Sequence, residues 1–286
     1  MPHINSRDGT RLYCEEAGQG TPVVFVHEYA GDWRTWEPQM RHFARSHRCV
    51  TYSQRGYPPS DIPDEPDKYS QDKFRDDVIA VMDGLKIDKA HVVGHSMGAL
   101  TALLVGIKYP ERCLSVTAAG CGYGSSPDAK VVEQSRAVSR ETAKMFASET
   151  MATAAARYGD GPTRQAHKNK DPRGYAEFIR MLSQHSSKGH ALVMENLQAK
   201  RPTLWDVETD LRKFKLPLLV LVGDEDEWCL DASVFLRRIV PTAGLCVIPR
   251  SGHTITSEEP EQFNAALADL IAAAEAGCWL AHKPRK

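Results

Sequence analysis

No run in this 286-residue chain approaches the roughly 18 consecutive apolar residues of a membrane span. The N-terminus, Met1-Pro2-His3-Ile4-Asn5, has no apolar stretch behind a basic head, so no secretory or transit signal is read there. A cytoplasmic protein without a membrane partner is expected. Surplus charge is also missing: 36 Lys and Arg stand against 37 Asp and Glu, a net charge of −1. Phosphate-backbone binding draws on an excess of cations, so nucleic acid is not an expected partner. The seven cysteines (Cys14, Cys49, Cys113, Cys121, Cys229, Cys246 and Cys278) are odd in number, and no two stand in a Cys-x-x-Cys spacing. Reduced, mostly buried thiols fit that pattern better than a disulfide framework or a zinc site. Internal repeats and low-complexity tracts are absent as well. What is present is a globular composition, 42% apolar and 26% charged, in a chain long enough for about two domains of roughly 150 residues or for one domain with an insertion.

Short β-branched runs punctuate the first half. Thr10 to Glu16 reads as a half-buried strand, while Pro22 to Val26, Cys49 to Ser53 and Ala90 to Gly94 read as strands covered on both faces. Between them, Trp33, Trp36, Met40 and Phe43 recur at helical spacing after Asp32, a good N-cap, and Phe74, Val78, Val81, Met82 and Leu85 mark a second amphipathic helix. The alternation resumes near the C-terminus with strands at Leu218 to Gly223 and Gly244 to Ile248 and helices at Asp231 to Val240 and Glu258 to Ala276. Such alternation predicts βαβ units and a mainly parallel sheet. From 124 to 213 no strand run is found. Helical windows lie instead at Val131 to Phe146, Ser148 to Tyr158, Gly174 to Gln184 and Ala191 to Ala199. This segment holds 15 Lys and Arg against 11 Asp and Glu, about +4, leaving about −5 elsewhere. The expected organisation is an α/β core over 1–123 and 214–286, interrupted by a helical cap over 124–213.

Gly94-His95-Ser96-Met97-Gly98 follows a strand and precedes the helical pattern Ala99 to Lys108. In that context the G-x-S-x-G spacing describes a sharp strand-to-helix turn. The turn lifts the serine hydroxyl above the sheet at a helix N-terminus, where free amides favour developing negative charge. A serine nucleophile needs a base and an orienting acid. Among eleven histidines, His253 in Ser251-Gly252-His253 lies directly after the last strand, where open parallel sheets place their chemistry. His95, beside the nucleophile, points away by the geometry of the turn. In Gly223-Asp224-Glu225-Asp226-Glu227 all four acidic residues are candidates for the acid. Asp226 is the choice, and Asp224, which follows the strand too closely to swing over the sheet, is the runner-up.

On these residues the chain resembles the α/β-hydrolase superfamily along nearly its whole length, as a serine-nucleophile, cap-bearing, esterase-like member. The Ser53-Gln54-Arg55-Gly56-Tyr57-Pro58-Pro59-Ser60 loop is similar to the family's D-x-R-G-x-G-x-S, with Ser53 and Pro58 as departures. The resemblance implies an eight-stranded, mainly parallel sheet flanked by helices, with a helical cap inserted. It also implies an oxyanion hole made by the backbone amides of Met97 and of Tyr29, in His27-Glu28-Tyr29. Glu28 departs from the usual His-Gly-x, and its carboxylate is expected to solvate outward or pair with a cation such as Arg55 rather than sit in the pocket as a polar determinant. Tyr123, Trp228, Met145 and Phe178, with Glu28, are the substrate-binding candidates in an apolar pocket. The basic stretch Arg164, His167, Lys168, Lys170 and Arg173 is expected to be a solvated face.

The implied chemistry is cleavage of a small-molecule carboxylic ester through a Ser-His-Asp acyl-enzyme, with no metal and no organic cofactor. Carbon-carbon bond or enol-lactone hydrolysis in aromatic breakdown is the alternative within the fold. A slow-turnover ligand receptor keeping the same triad is the alternative outside catalysis. A serine at the turn argues against haloalkane dehalogenases and epoxide hydrolases, which carry Asp there to attack alkyl carbon. A small-molecule substrate is the expected partner, and a homodimer is left open.

Overall fold

The computed structural model describes residues 3–282. Eight strands, β1 His3–Asn5, β2 Arg11–Ala17, β3 Pro22–Val26, β4 Arg48–Tyr52, β5 Ala90–His95, β6 Cys113–Ala119, β7 Leu218–Gly223 and β8 Ala243–Ile248, form one sheet in the order β1-β2-β4-β3-β5-β6-β7-β8. β2 runs antiparallel to its neighbours β1 and β4, and every pairing from β4 through β8 is parallel. This is the eight-stranded, mainly parallel sheet that the resemblance implied.

The period-2 geometry of a strand explains why the central runs are apolar throughout. Val24 and Val26 point to one face, where they meet Val78, Val81 and Met82 of the helix Gln71–Gly84 and Leu100 and Leu103 of the helix Met97–Lys108. Val23 and Phe25 point to the other, against Trp36, Met40, Phe43 and, from the C-terminal helix Pro260–Glu275, Phe263 and Leu267. Asp32 caps the turn Trp33–Trp36 as expected: its carboxylate accepts the Arg34 amide at 2.8 Å, and Thr35 Oγ1 accepts the Asp32 amide at 3.0 Å.

Between β6 and β7 the described elements are all helical, among them Ala129–Ser148, Met151–Gly159, Gln165–Lys170, Pro172–Leu182 and Ser187–Val193. They lie on the loops at the C-terminal ends of the strands. Their apolar faces gather Phe146, Phe178, Leu182, Val193 and Leu197 in a third cluster with Tyr29, Tyr57 and Met97. Cys14, Cys49, Cys113, Cys121 and Cys229 are buried and free. Among the described residues no helix is long and apolar enough to cross a membrane.

Two strands were not read from the sequence. β1 is three residues long. β6, Cys-Leu-Ser-Val-Thr-Ala-Ala, is nearly all buried but built from small and hydroxylated residues. It carries no long β-branched run, and its short alternation Leu114-Ser115-Val116-Thr117-Ala118 does not show that both faces are covered.

Candidate active site

The nucleophile turn is built by close approach. A Cβ on Gly94 would lie 2.1 Å from the Gly98 carbonyl oxygen, and a Cβ on Gly98 would lie 2.1 Å from the carbonyl oxygen of Val26 in β3. Only glycine lets β5, the helix and β3 meet here. Ser96 takes the consequence in its backbone, with φ 53° and ψ −111°, a region that is costly for a side-chain-bearing residue and recurs at functional turns. Its amide donates to the Ala119 carbonyl at 2.7 Å, tying the turn to the end of β6. Met97 opens the following helix, so its amide has no intrahelical acceptor.

Ser96, Asp226 and His253 are brought together. His253 Nε2 lies 2.8 Å from Ser96 Oγ, and His253 Nδ1 lies 2.7 Å from Asp226 Oδ2. The carboxylate only accepts, so Nδ1 carries the hydrogen and Nε2 is left to accept the serine proton. Both partners are nearly inaccessible, His253 at 4% and Asp226 at 2% exposure. Burial disfavours the charged forms, but the pair overcomes it. His253 titrates above its ordinary 6.5 because Asp226 holds the imidazolium, and Asp226 falls below its ordinary 3.8 because His253 faces it.

The loop carrying His253 is shaped by two acids, of which sequence reasoning passed over Glu258 and weighed Asp224 only as the acid for His253. Glu258 accepts the amides of Gly252 (2.8 Å) and Thr254 (3.0 Å) and the Thr254 hydroxyl (2.7 Å). Asp224, the runner-up acid, accepts the Ser251 amide at 3.1 Å and so braces the loop. His95 does point away from the hydroxyl: its Nε2 donates to the His253 carbonyl at 2.7 Å, and burial pushes its pKa down to about 4.

Tyr29 lies in the loop after β3, and that loop is pinned by His27. The Gln54 amide donates to His27 Nε2 at 3.0 Å, so Nδ1 carries the hydrogen and donates to the Glu28 carbonyl at 2.6 Å. Complete burial lowers His27 to about 4, which keeps this neutral tautomer at physiological pH.

Glu28 pairs with a cation, as one expectation had it, but not the one named. It is 1% exposed rather than solvated, and its cation is not Arg55, which is spent on Asp8 and Asp77. Its partner is Arg164 of the helical insertion. Arg164 Nη1 donates to Glu28 Oε1 at 2.9 Å and Nη2 pairs with Oε2, while the guanidinium lies over the rings of Phe178 and Tyr158. Burial would push the Glu28 carboxyl up; Arg164 outweighs it and brings Glu28 to about 2. The basic stretch is therefore not a uniform solvated face. Arg164 and His167 are buried, His167 against Tyr175 and Phe178, because one face of a short helix packs inward.

The substrate-binding candidates divide among three spaces. Ser96, His253 and Tyr29 line a cavity of about 290 Å³ together with Tyr123, Met145 and, unforeseen, Arg201. Trp228, 53% exposed, stands at a cleft of about 290 Å³ on the other side of His253, beside Glu225 and Glu227. Glu28 and Phe178 instead face a larger cavity of about 700 Å³ that does not include Ser96. Arg201 carried no legible signal, being one of many cations in a basic segment.

One group of three metal-ligating side chains among the described residues is close enough to share an ion: Asp226, Cys229 and His253. Burial pushes the Cys229 thiol well above its ordinary 9.0, its Sγ donates to the Gly120 carbonyl at 3.3 Å, and His253 Nδ1 is engaged by Asp226. The group is thus hydrogen-bonded as it stands.

The family model described as alpha/beta hydrolase fold matches residues 21–260, and with the sheet order and the Ser96 turn the chain belongs to the α/β-hydrolase family and is a hydrolase. It is 28% identical over 283 residues to 2-hydroxy-6-oxo-6-phenylhexa-2,4-dienoate hydrolase of Burkholderia cepacia, covering 92% of this chain and 91% of that protein. A shorter match, 40% identical over 100 residues, is to Epoxide hydrolase 1 of Caenorhabditis elegans, and spans 35% of this chain but only 25% of that one. A solved thermophilic esterase from Thermogutta terrifontis superposes with a TM-score of 0.82 at 23% identity, covering 96% of this chain and 98% of that one.

Proposed function

We propose that the chain is a serine hydrolase that cleaves a small-molecule carboxylic ester through an acyl-enzyme. The observation that carries this is the unbroken run of hydrogen bonds from Asp226 through His253 to Ser96 Oγ, ending in a cavity. Ser96 Oγ attacks the ester carbonyl carbon while His253 Nε2 takes the hydroxyl proton, and Asp226 stabilises the imidazolium that forms. The amides of Met97 and Tyr29 receive the oxyanion. Collapse breaks the carbon-oxygen bond to the alcohol, which leaves with the proton from His253. Water, deprotonated by the same histidine, then releases the acid and restores Ser96. The helical segment 124–213 serves as the lid of the site. Each step uses the chain's own groups and calls for no metal or organic cofactor.

The test is labelling with a fluorophosphonate followed by a panel of p-nitrophenyl esters. Ser96→Ala is expected to abolish labelling and to lower turnover by about four to six orders of magnitude. Retained hydrolysis in that variant would sink the assignment.

A second reading, hydrolysis of a carbon-carbon bond, draws on the full-length similarity to the Burkholderia cepacia dienoate hydrolase. The same serine, base and oxyanion donors serve it. Turnover of a vinylogous diketone far above that of any p-nitrophenyl ester would favour it. Opening of an epoxide is disfavoured, since it would require a nucleophile suited to alkyl carbon where this chain has Ser96.

A further inference from the structure

The cavity beside Ser96 is electrically one-sided. Its walls include Arg157 and Arg201 and no aspartate or glutamate. Arg157 sits at the rim, 68% exposed, and donates to Glu149 at 2.6 Å, so its charge is met. Arg201 differs. Its Nη2 donates to the Tyr123 carbonyl at 2.7 Å, and among the described residues no carboxylate lies within 4 Å of it.

The protein treats its fully buried arginines in the opposite way. Arg55 is clamped by Asp8 and Asp77, and Arg164 by Glu28. A guanidinium partly withdrawn from water at a cavity wall, with no anion of its own, is left to take one, and its planar fork matches a carboxylate. Arg201 itself is only partly withdrawn from water, and burial lowers its pKa from 12.5. The cleft on the far side of His253 has the reverse sign, with Glu225, Asp226 and Glu227 in its walls. An anionic end of a substrate is repelled there and admitted beside Ser96.

We propose that Arg201 is a specificity-determining residue that binds a carboxylate at the far end of the acyl group, so that the preferred substrates are monoesters of dicarboxylic acids. This rests on the serine-esterase reading above and leaves its chemical steps unchanged.

The experiment compares mono-4-nitrophenyl adipate with 4-nitrophenyl hexanoate, which has the same chain length without the charge. Wild-type protein is expected to favour the adipate ester in kcat/KM. Arg201→Met is expected to lose about 10- to 100-fold on adipate, the range for a lost charged hydrogen bond, while staying within about threefold on hexanoate by the same arithmetic. Arg201→Lys, which keeps the charge but not the fork, should fall between and covers the case in which the methionine variant does not fold. Equal losses on both esters, or no preference in the wild type, would overturn the proposal. A separate arm needs no turnover: free adipate should raise the melting temperature of the Ser96→Ala protein and lose that effect when Arg201→Met is added. If hexanoate is not cleaved and Ser96 is not labelled, the esterase reading fails, and the adipate shift alone then decides whether Arg201 binds a carboxylate. Its absence would refute that role.

Discussion

Arg164→Met removes the cation from a pair in which both members are 1% exposed. Methionine keeps much of the packing over Phe178 and Tyr158, so the change isolates charge. What remains is a carboxylate at Glu28 with no counterion. Breaking one side of a buried ion pair costs about 3–5 kcal/mol, a large share of the roughly 5–15 kcal/mol that holds a folded protein together. For a chain of this size that is a fall of about 10 °C in melting temperature. The pH dependence carries a sign. In the wild type Glu28 falls from its ordinary 4.5 to about 2, so the pair's contribution is fully present above 4.5 and is lost as pH drops toward 2. In the variant burial is opposed only by His95 and His253 and the folded-state pKa rises, so the penalty develops as pH climbs above 4.5. Urea unfolding at pH 4.5, 6 and 8 should therefore show a deficit that widens with pH. The double variant Glu28→Gln with Arg164→Met should recover most of it, because neither charge is then stranded. A deficit below about 1 kcal/mol at pH 8, the worth of an exposed pair, would overturn this account. So would a deficit that does not change with pH.

Asp226→Asn should cut turnover of any accepted ester by about 10³- to 10⁴-fold while leaving fluorophosphonate access to Ser96 open. The base must be neutral, and His253 titrates above 6.5 because of Asp226, so kcat/KM should rise through an apparent pKa above 6.5. In Asp226→Asn the residual activity should rise at lower pH. The same shift makes the His253 contribution to stability fully present below pH 6.5 and lost as pH rises through the folded value, which differs from the wild type to Asp226→Asn in a pH series of melting curves. Gly98→Ala should prevent soluble folding or lower the melting temperature severely, since its Cβ would meet backbone rather than a movable side chain.

The parts of the site written in local spacing were legible. The glycines around Ser96, the loop after β7 and Ser251-Gly252-His253 each declare a turn at the end of a strand, and the structure brings Ser96, Asp226 and His253 together there. β6 was missed because its burial comes from its place between β5 and β7, not from a run of large apolar residues. Glu28 does pair with a cation, as one of its expected outcomes had it, but with a partner that was not foreseen, for a similar reason. Its partner stands 136 residues away in another layer, and no local pattern distinguishes Arg164 from Lys168 or Lys170. Arg201 shows the limit most clearly, since its significance lies in lacking an acidic neighbour, a property that exists only once the chain has folded.

The order of the strands along the chain also makes hydrolysis a clock for folding. Ser96 and Tyr29 lie among the first hundred residues, whereas His253 is 157 residues beyond Ser96. β7 and β8 join the sheet only after the helical insertion has been spanned. A nascent chain that ends before β7 can form the turn and its helix yet has no base with which to use them. Closing so long a loop is slow compared with forming helices. During refolding, helical signal should return first and ester turnover later, with the lag measuring when the far edge of the sheet docks.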